Sequence, residues 1–280
     1  SIHWLHALCG QCHFRSFPAM RIVLGIEYFG GDFCGWQTQA SRCSVQDAVE
    51  QALAAIAGEK VATICAGRTD AGVHALAQVV HFDCTAGRPE TAWVRGVNAL
   101  LPPGVAVTWM REVATEFNAR HSARERVYQY VLFNHPVRPA FNRNRVGWFH
   151  VPLDVTRIRE AANYLVGEHD FSAFRSSECQ AKSPVREVRR IQVEARGDFI
   201  LFELAANGFL HHMVRNIVGS LVHVGKGGAA PEWAGEVLAG RDRSRAAPTF
   251  DAAGLYLTGV GYDAKWQLPR RARRASFEGI

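Results

Sequence analysis

The sequence predicts an α+β protein made of two successive halves, each with its elements in the order β-α-β-β-α-β. Short runs of alternating apolar and polar residues, typical of strands, are separated by stretches with helical periodicity. The second half repeats the order of elements in the first, and 280 residues suffice for two modest domains with their own cores. Units of this order are typical of ferredoxin-like or RNA-recognition-like folds with mostly antiparallel sheets.

The first half is predicted to span residues 20–123. Apolar residues alternate along residues 21–29, which predicts a strand with one buried side. Ser44 is expected to cap a helix, with Asp47 at the capping-box position and Gly58 at the end. The other elements predicted here are strands at 61–65, 78–83 and 105–112 and a helix at 91–101.

The second half is predicted to span residues 124–264. Asp154 is expected to cap a helix over 154–166 that Gly167 stops. The turn at residues 196–198, Arg-Gly-Asp, predicts a hairpin of two strands. The elements predicted here are strands at 127–133, 188–194, 199–205 and 255–262 and further helices at 210–224 and 231–238. Residues 265–280 form a basic, proline-interrupted tail, expected to be solvated and mobile rather than bound to phosphates.

Composition describes an ordinary globular protein with a modest basic excess. The chain has 32 basic and 26 acidic residues, a net charge of +6 and a pI near 9.1, which favours an anionic partner. Hydrophobic residues make up 48% of the chain, with no apolar run of eighteen residues that would indicate a membrane span.

The seven cysteines predict reduced thiols in a cytosol, because their number is odd and their spacing fits no disulfide framework. Cys65 is expected to be a small buried hydrophobe. Residues 9–13 spell Cys-Gly-Gln-Cys-His, a pattern for covalent haem attachment or, with nearby histidines, a metal site. We instead interpret residues 1–19 as a disordered extension, since no convincing secretory signal precedes the motif.

The most informative segment is residues 66–75, Ala-Gly-Arg-Thr-Asp-Ala-Gly-Val-His-Ala. Its single carboxylate, Asp70, stands between two glycines that permit tight turns, and it follows an apolar run that predicts a buried strand. Such a loop can present an ionised acid to a ligand. An Asx turn that caps the following segment is the structural alternative.

This segment resembles the catalytic loop of the tRNA pseudouridine synthase A family, in which the aspartate is catalytic. Other blocks resemble that family in the same order, over roughly residues 21–263. They are Gly-Trp-Gln at 35–37 with Ser-Val-Gln at 44–46, Phe-Asn-Ala-Arg-His-Ser-Ala at 117–123, Arg-Val-Tyr-Gln-Tyr at 126–130, Asp-Phe-Ser-Ala-Phe-Arg at 170–175, and His-His-Met-Val-Arg-Asn-Ile-Val-Gly at 211–219.

The resemblance implies that the two sheets join across a central catalytic cleft that contains Asp70. It nominates Arg215 as the cation beside that acid, with an unrelated salt bridge as the alternative. It also implies that Tyr128 stacks on the uracil and helps to handle the C5 proton. Tyr130 shares the face of Tyr128 in a strand, and core packing is the alternative for either tyrosine.

The resemblance further implies contacts to RNA. Arg68 matches the arginine that fills the space left by a flipped uridine, although a phosphate or Asp70 could equally be its partner. Two segments that could also be solvated turns are expected to touch the tRNA body. They consist of Phe117, Asn118, Ala119, Arg120 and His121, and of Glu178, Cys179, Gln180, Ala181 and Lys182. In the second segment Lys182 is the plausible contact, whereas Glu178 would repel phosphate.

Adjacent residues on a helix point about 100° apart. His211 and His212 are therefore predicted to form no two-histidine metal face, and to be structural or close to RNA.

The resemblance implies an enzyme without metal or cofactor that isomerises uridine to pseudouridine in tRNA. The expected targets are uridines 38, 39 and 40 in the anticodon stem-loop, and the expected state is a cytoplasmic homodimer with one tRNA spanning both subunits. Asp70 could attack the sugar, stabilise an oxocarbenium-like species or remove a sugar proton. An RNA-binding protein without activity, a haem or metal protein, and an enzyme for another RNA target are the alternatives.

Overall fold

A large mixed β-sheet carries the segment of residues 66–75 in the computed structural model, which describes residues 19–269 and 274–275. Five α-helices and ten strands form within these residues. The strands are β1 Met20–Tyr28, β2 Ile64–Cys65, β3 His74–Cys84, β4 Val105–Val113, β5 Ala123–Asn134, β6 Gly147–Phe149, β7 Gly167–Asp170, β8 Val185–Arg196, β9 Phe199–Ala206 and β10 Leu255–Tyr262. The helices are α1 Val45–Ala57, α2 Val97–Leu100, α3 Val155–Asn163, α4 Met213–Gly225 and α5 Trp233–Gly240.

The strands follow the order β4-β1-β3-β10-β5-β9-β8-β7, with β2 paired to β3 and β6 paired to β5. Seven of the nine pairings among the described residues are antiparallel. The last strand in sequence, β10, lies in the middle of the sheet between β3 and β5. Its short parallel pairing with β3 begins at His74, near the end of the segment 66–75 that contains Asp70.

Helix α1 confirms the predicted capping signals. The Ser44 side chain accepts from the Asp47 backbone, the Asp47 side chain accepts in return, and Gly58 ends the helix in the left-handed region. Asp154 likewise caps α3, which begins at the next residue. The hairpin of β8 and β9 forms around the predicted turn.

Several local predictions need correction. The buried strand predicted over 61–65 shrinks to β2, and only Val61, Thr63 and Cys65 point inward, whereas Ala62 and Ile64 are exposed. The helix predicted over 91–101 begins as a π-helical turn at Ala92–Gly96 before α2 continues it. Strands β6 and β7 were not predicted, because each is too short to show a periodicity.

The core lies on both faces of the sheet. Alternate residues of β1 point to opposite sides: Leu24 packs in the large cluster with α1 and α4, whereas Val23 packs in a smaller cluster with Phe117. Cys65 belongs to the large cluster and is 8% exposed, which confirms its interpretation as a small buried hydrophobe.

The prediction that all cysteines are reduced thiols is wrong for two of them. Cys34 and Cys43 form a disulfide across a nine-residue separation, with Cα atoms 5.5 Å apart. The spacing of the seven cysteines did not indicate this pairing. The other described cysteines, Cys65, Cys84 and Cys179, remain free. The disulfide closes the segment that leads from β1 to α1.

The basic tail is described only in part. Arg274 lies 3.3 Å from the Glu203 carboxylate, and the Ala275 backbone donates to the Gln129 side chain at 2.8 Å. The Ala275 backbone is thus bonded to the sheet, whereas the Arg274 side chain is 62% exposed, and the expectation of a solvated tail stays a prediction. The extension at 1–19, with its Cys-Gly-Gln-Cys-His motif, falls outside the described residues except for residue 19. No helix within the described ranges is long and apolar enough to cross a membrane.

Candidate active site

The loop that carries Asp70 is hydrogen-bonded to strands β1 and β3 of the sheet. Its Gly67 carbonyl accepts from the Gln78 side chain of β3 at 2.7 Å, and the Thr69 hydroxyl lies 2.8 Å from the Tyr28 hydroxyl of β1. The Trp36 backbone donates to the Thr69 carbonyl at 3.0 Å. The residues just before the acid are therefore held by β1, β3 and Trp36, while the Asp70 side chain stays 24% exposed.

Arg215 is the cation that faces Asp70. Its guanidinium donates to the Asp70 Oδ2 atom at 3.2 Å, across a sequence separation of 145 residues. The first turn of α4 supplies Arg215, and a second guanidinium nitrogen donates to the Phe250 carbonyl at 2.8 Å, which fixes the direction of the side chain. A charge-assisted contact of this kind balances the ionised carboxylate in a half-buried position.

Two histidines complete the surroundings of Asp70. The His211 Nε2 atom lies 3.2 Å from Oδ1, and the His212 Nε2 atom lies 3.4 Å from Oδ2. The prediction that the two rings diverge is wrong, because both residues precede α4 and His212 has a φ of 62°. The left-handed backbone brings the rings together, with their centroids 4.0 Å apart.

Asp70, His211 and His212 also form the one group among the described residues whose donor atoms could hold a metal ion. These donor atoms lie within 4.8 Å of one another. Two imidazoles and a carboxylate are ligands that zinc accepts. The Arg215 guanidinium, however, already occupies Oδ2, and its fixed positive charge opposes a second cation at this carboxylate.

Tyr128 lies in β5 beside the loop that carries Asp70. Its side chain is 8% exposed, its ring packs edge-on against Phe209 at 5.2 Å, and its hydroxyl lies 3.8 Å from the point where a Cβ on Gly67 would stand. Burial, and then the charge of Asp70, raise the pKa of Tyr128 well above its ordinary value. The phenol therefore stays protonated at neutral pH. Tyr130 is fully buried and donates to the Asp251 carbonyl at 2.7 Å, which is the core role considered for it.

Arg68 is exposed and has no ion-pair partner among the described residues. Of the partners considered for it, Asp70 is therefore not the one found, since Asp70 is paired to Arg215 instead. The guanidinium stands two residues before the acid and is free to meet an incoming ligand.

The segment from Phe117 to His121 needs a correction. Phe117 is fully buried and packs against the rings of Tyr262 and Trp266, so it cannot stack on a base as expected. Ala119 is also fully buried.

Asn118 in the same segment serves the turn. Its side chain accepts from the Arg120 and His121 backbones at 3.0 Å. The side chains of Arg120 and His121 are the exposed members of the segment and the ones available to RNA.

In the segment 178–182, Glu178, Gln180 and Lys182 are exposed. Cys179 is half-buried: its sulfur accepts from the His211 backbone at 3.5 Å, and its carbonyl accepts from Arg175 at 2.6 Å. Ala181 packs against the large core cluster. This segment is therefore joined to the residues beside Asp70, a link that the sequence did not indicate.

Arg126 is a site-supporting residue that was missed. Its Nη2 atom donates to the Ala66 carbonyl at 2.9 Å and to the Arg120 carbonyl at 2.7 Å, and its Nη1 atom reaches the Asn207 carbonyl at 3.0 Å. Arg126 therefore joins the start of the loop that carries Asp70 to the two neighbouring loops. Its position two residues before Tyr128, on the same face of β5, is the signal that could have found it.

Comparison of the sequence with known proteins matches this chain to one family. A family model described as tRNA pseudouridine synthase matches residues 19–122 and 161–263. tRNA pseudouridine synthase A of Thiobacillus denitrificans is 62% identical over 258 residues, which cover 92% of this chain and 99% of that protein. The enzymes of the same name from Chromobacterium violaceum and Methylobacillus flagellatus are 57% and 56% identical, each over 91% of this chain and 98% of its own length.

The chain therefore belongs to the tRNA pseudouridine synthase family. It is an isomerase that acts on tRNA and converts uridine to pseudouridine. Among solved structures, a chain of the archaeal box H/ACA sRNP Nop10-Cbf5 complex aligns at 16% identity with a TM-score of 0.34, over 72% of this chain and 44% of that one. That likeness is too slight to carry an argument.

Proposed function

We propose that Asp70 is the catalytic carboxylate of this enzyme and that its targets are uridines 38, 39 and 40 in the anticodon stem-loop. The observation that carries the proposal is the ion pair between Asp70 and Arg215, which brings two distant sequence motifs together at one partly buried acid. The reaction breaks the N1–C1′ bond and forms a C5–C1′ bond. C5 gives up a proton and N1 gains one, so the reaction needs no oxidant and no phosphate donor.

Asp70 acts on the sugar of the bound uridine. A carboxylate can attack C1′, stabilise an oxocarbenium-like species, or remove a sugar proton to give a glycal. Each route needs an ionised acid, and the Arg215 guanidinium at 3.2 Å balances that charge.

Tyr128 and Arg68 receive the flipped nucleotide. Removing a uracil from the stack costs a few kcal/mol, which protein contacts must return. The Tyr128 ring stacks on the uracil, and its protonated phenol can relay the C5 proton only by giving up its own O–H proton as it accepts the one from C5, while the exposed Arg68 fills the space that the uridine leaves. Arg120, His121 and Lys182 contact the tRNA backbone, as their exposed cationic or polar side chains permit.

We also propose two ferredoxin-like halves, residues 20–123 and 124–264, joined across the cleft at Asp70. The central place of β10, which belongs to the second half but pairs with β3 of the first, supports this division. The assembly is a cytoplasmic homodimer in which one tRNA spans both subunits. Light scattering of the protein with and without tRNA tests the dimer.

The experiment for this proposal maps pseudouridine at nucleotide resolution in unmodified tRNA transcripts after incubation with enzyme. The wild type is expected to modify uridines 38–40, and Asp70→Ala is expected to modify none. Asp83→Ala is the matched control, because Asp83 also pairs with an arginine, Arg21, but lies on the surface at 49% exposure. Modification elsewhere in the tRNA would contradict the targets, and an active Asp70→Ala would contradict the catalytic residue.

A further inference from the structure

The carboxylate of Asp70 is contacted on both oxygens by imidazoles. His211 reaches Oδ1 at 3.2 Å and His212 reaches Oδ2 at 3.4 Å, while Arg215 shares Oδ2 from a third direction. Three nitrogen-bearing side chains therefore surround one acid. Arg215 alone would leave the carboxylate free to rotate about its Cβ–Cγ bond, because it engages a single oxygen.

The backbone holds both histidines in place. His212 adopts the left-handed conformation, with a φ of 62°, which non-glycine residues rarely occupy and which is found at functional sites. Its carbonyl accepts from the Asn216 backbone at 2.9 Å, as the first hydrogen bond of α4. The His211 carbonyl accepts from the Ser176 backbone at 3.0 Å, and its N–H meets the Cys179 sulfur at 3.5 Å.

These contacts couple the rings to the segment 178–182, for which an RNA contact is proposed. A tRNA contact that shifts the segment 178–182 would also shift the His211 backbone, and with it the imidazole that contacts Asp70. Both rings are about one-third exposed or less, at 33% for the His211 side chain and 28% for that of His212. Both rings are therefore partly open to solvent beside Asp70.

We propose that His211 and His212 are positioning residues that fix the rotation of the Asp70 carboxylate, so that one oxygen faces the sugar of the bound uridine. This inference rests on the proposed catalytic role of Asp70. The histidines act through that carboxylate and do not themselves touch the substrate. Their loss lowers the rate of reaction on bound tRNA and leaves the affinity for tRNA largely intact.

At each histidine, the test compares a substitution that removes the contact to Asp70 with one that keeps a nitrogen donor. His212→Asn suits the left-handed backbone but is too short to reach Asp70, whereas His212→Gln keeps a nitrogen donor near the position of Nε2. His211→Leu and His211→Gln form the corresponding pair. His223→Gln is the matched control, because His223 lies in the last turn of α4 and packs on Trp233.

Single-turnover rates and tRNA dissociation constants are measured for all five variants, with thermal unfolding to establish that each is folded. We expect His211→Leu and His212→Asn to slow the reaction by about tenfold or more, with tRNA affinity within about threefold. The glutamine variants and His223→Gln should keep rates near the wild type. Wild-type rates in the leucine and asparagine variants, or rescue of position 212 by asparagine but not glutamine, would overturn the proposal.

A pH profile adds a readout that a purely structural role would not move. The groups that face His212 are Asp70, His211, Arg215 and Glu178, and burial holds the pKa of His212 below its ordinary value. A protonated imidazole would form an ion pair with the Asp70 carboxylate and weaken the attack of that carboxylate on the sugar. The acid limb of the single-turnover rate should therefore move to lower pH in the His211→Gln/His212→Gln double variant, and an unchanged limb would contradict the proposal.

Failure of this inference can be told apart from failure of the proposed function. If Asp70→Ala remains active, the catalytic role of Asp70 fails and the histidines have no target. If Asp70→Ala is inactive while the leucine and asparagine variants keep wild-type rates, only the positioning role fails.

Discussion

Two buried histidines outside the Asp70 cluster act as fixed acceptors for the backbone. The His74 Nδ1 atom accepts from the Gly30 backbone at 2.9 Å, and the His81 Nδ1 atom accepts from the Ala119 backbone at 3.1 Å. Burial lowers the pKa of each to about 4. Protonation would replace each acceptor with a donor and break the hydrogen bond.

This arrangement predicts that the protein loses stability in acid. Because the pKa of His81 falls from 6.5 unfolded to about 4 folded, the unfolded chain binds more protons between these values. The stability from a neutral His81 is fully present above pH 6.5 and declines as the pH falls toward 4. For one such ring the loss between pH 8 and pH 5 is about 2 kcal/mol.

Urea unfolding at pH 8 and pH 5 measures this effect. His81→Gln keeps an acceptor but cannot titrate, so its stability should fall less between the two pH values than that of the wild type. Equal losses in the two proteins would contradict the assignment of His81 as a neutral acceptor.

At the residue scale, motifs identified Asp70 and Arg215, and the structure brings the two together. The burial of Phe117 could not be read from the sequence, since an aromatic residue in a loop looks the same whether it faces RNA or the core. The convergence of His211 and His212 was missed because it depends on one left-handed residue before α4. A periodicity argument assumes regular helix geometry and cannot find such a residue.

The segment between β1 and α1 supports the catalytic loop through close backbone contact. Gly35 has a φ of +95°, and a Cβ there would stand 2.8 Å from the Thr69 carbonyl and 3.1 Å from the Asp70 backbone. The disulfide between Cys34 and Cys43 closes this same segment. The close backbone contact at Gly35 and the disulfide therefore both restrain the segment that packs against Thr69 and Asp70.

Gly35→Ala is therefore expected to displace the catalytic loop as well as strain its own backbone. Gly58→Ala is the matched control, since Gly58 also has a positive φ, of +74°, but nothing lies within 4 Å of its Cβ position. Gly58→Ala should cost about 1 kcal/mol of unfolding free energy from its positive φ, and Gly35→Ala should cost more, because its Cβ also meets the Thr69 carbonyl. Single-turnover assays should show a loss of about tenfold or more for Gly35→Ala alone, because small displacements of a reacting group are costly. Equal rates in the two variants would mean that Gly35 does not support the loop.

At the scale of elements, the signals that succeeded were local. The caps at Ser44 and Asp154 were readable because a capping side chain bonds to a backbone only two or three residues away. The disulfide and the short strands β6 and β7 could not be predicted from the sequence, since the pairing of these cysteines and strands depends on the tertiary fold.

For the whole molecule, the two-half order of elements correctly predicted an α+β protein with a largely antiparallel sheet, but not how the strands are ordered. The place of β10 between β3 and β5 depends on contacts between residues about 180 positions apart, such as Tyr256 with His74. No pattern within a strand encodes its neighbour. This pairing sets the distance between the Asp70 loop after β2 and Tyr128 in β5, so the site depends on it.

The central claim is that the Asp70 carboxylate performs the chemistry on tRNA that the protein has already bound. The most direct test measures tRNA affinity and the single-turnover rate of pseudouridine formation side by side for the wild type and Asp70→Asn. Asparagine keeps the size of the side chain but removes the charge and the nucleophilic oxygen. The account predicts affinity within about threefold of the wild type and a rate reduced by about 10⁴-fold or more. A rate within tenfold of the wild type would contradict it.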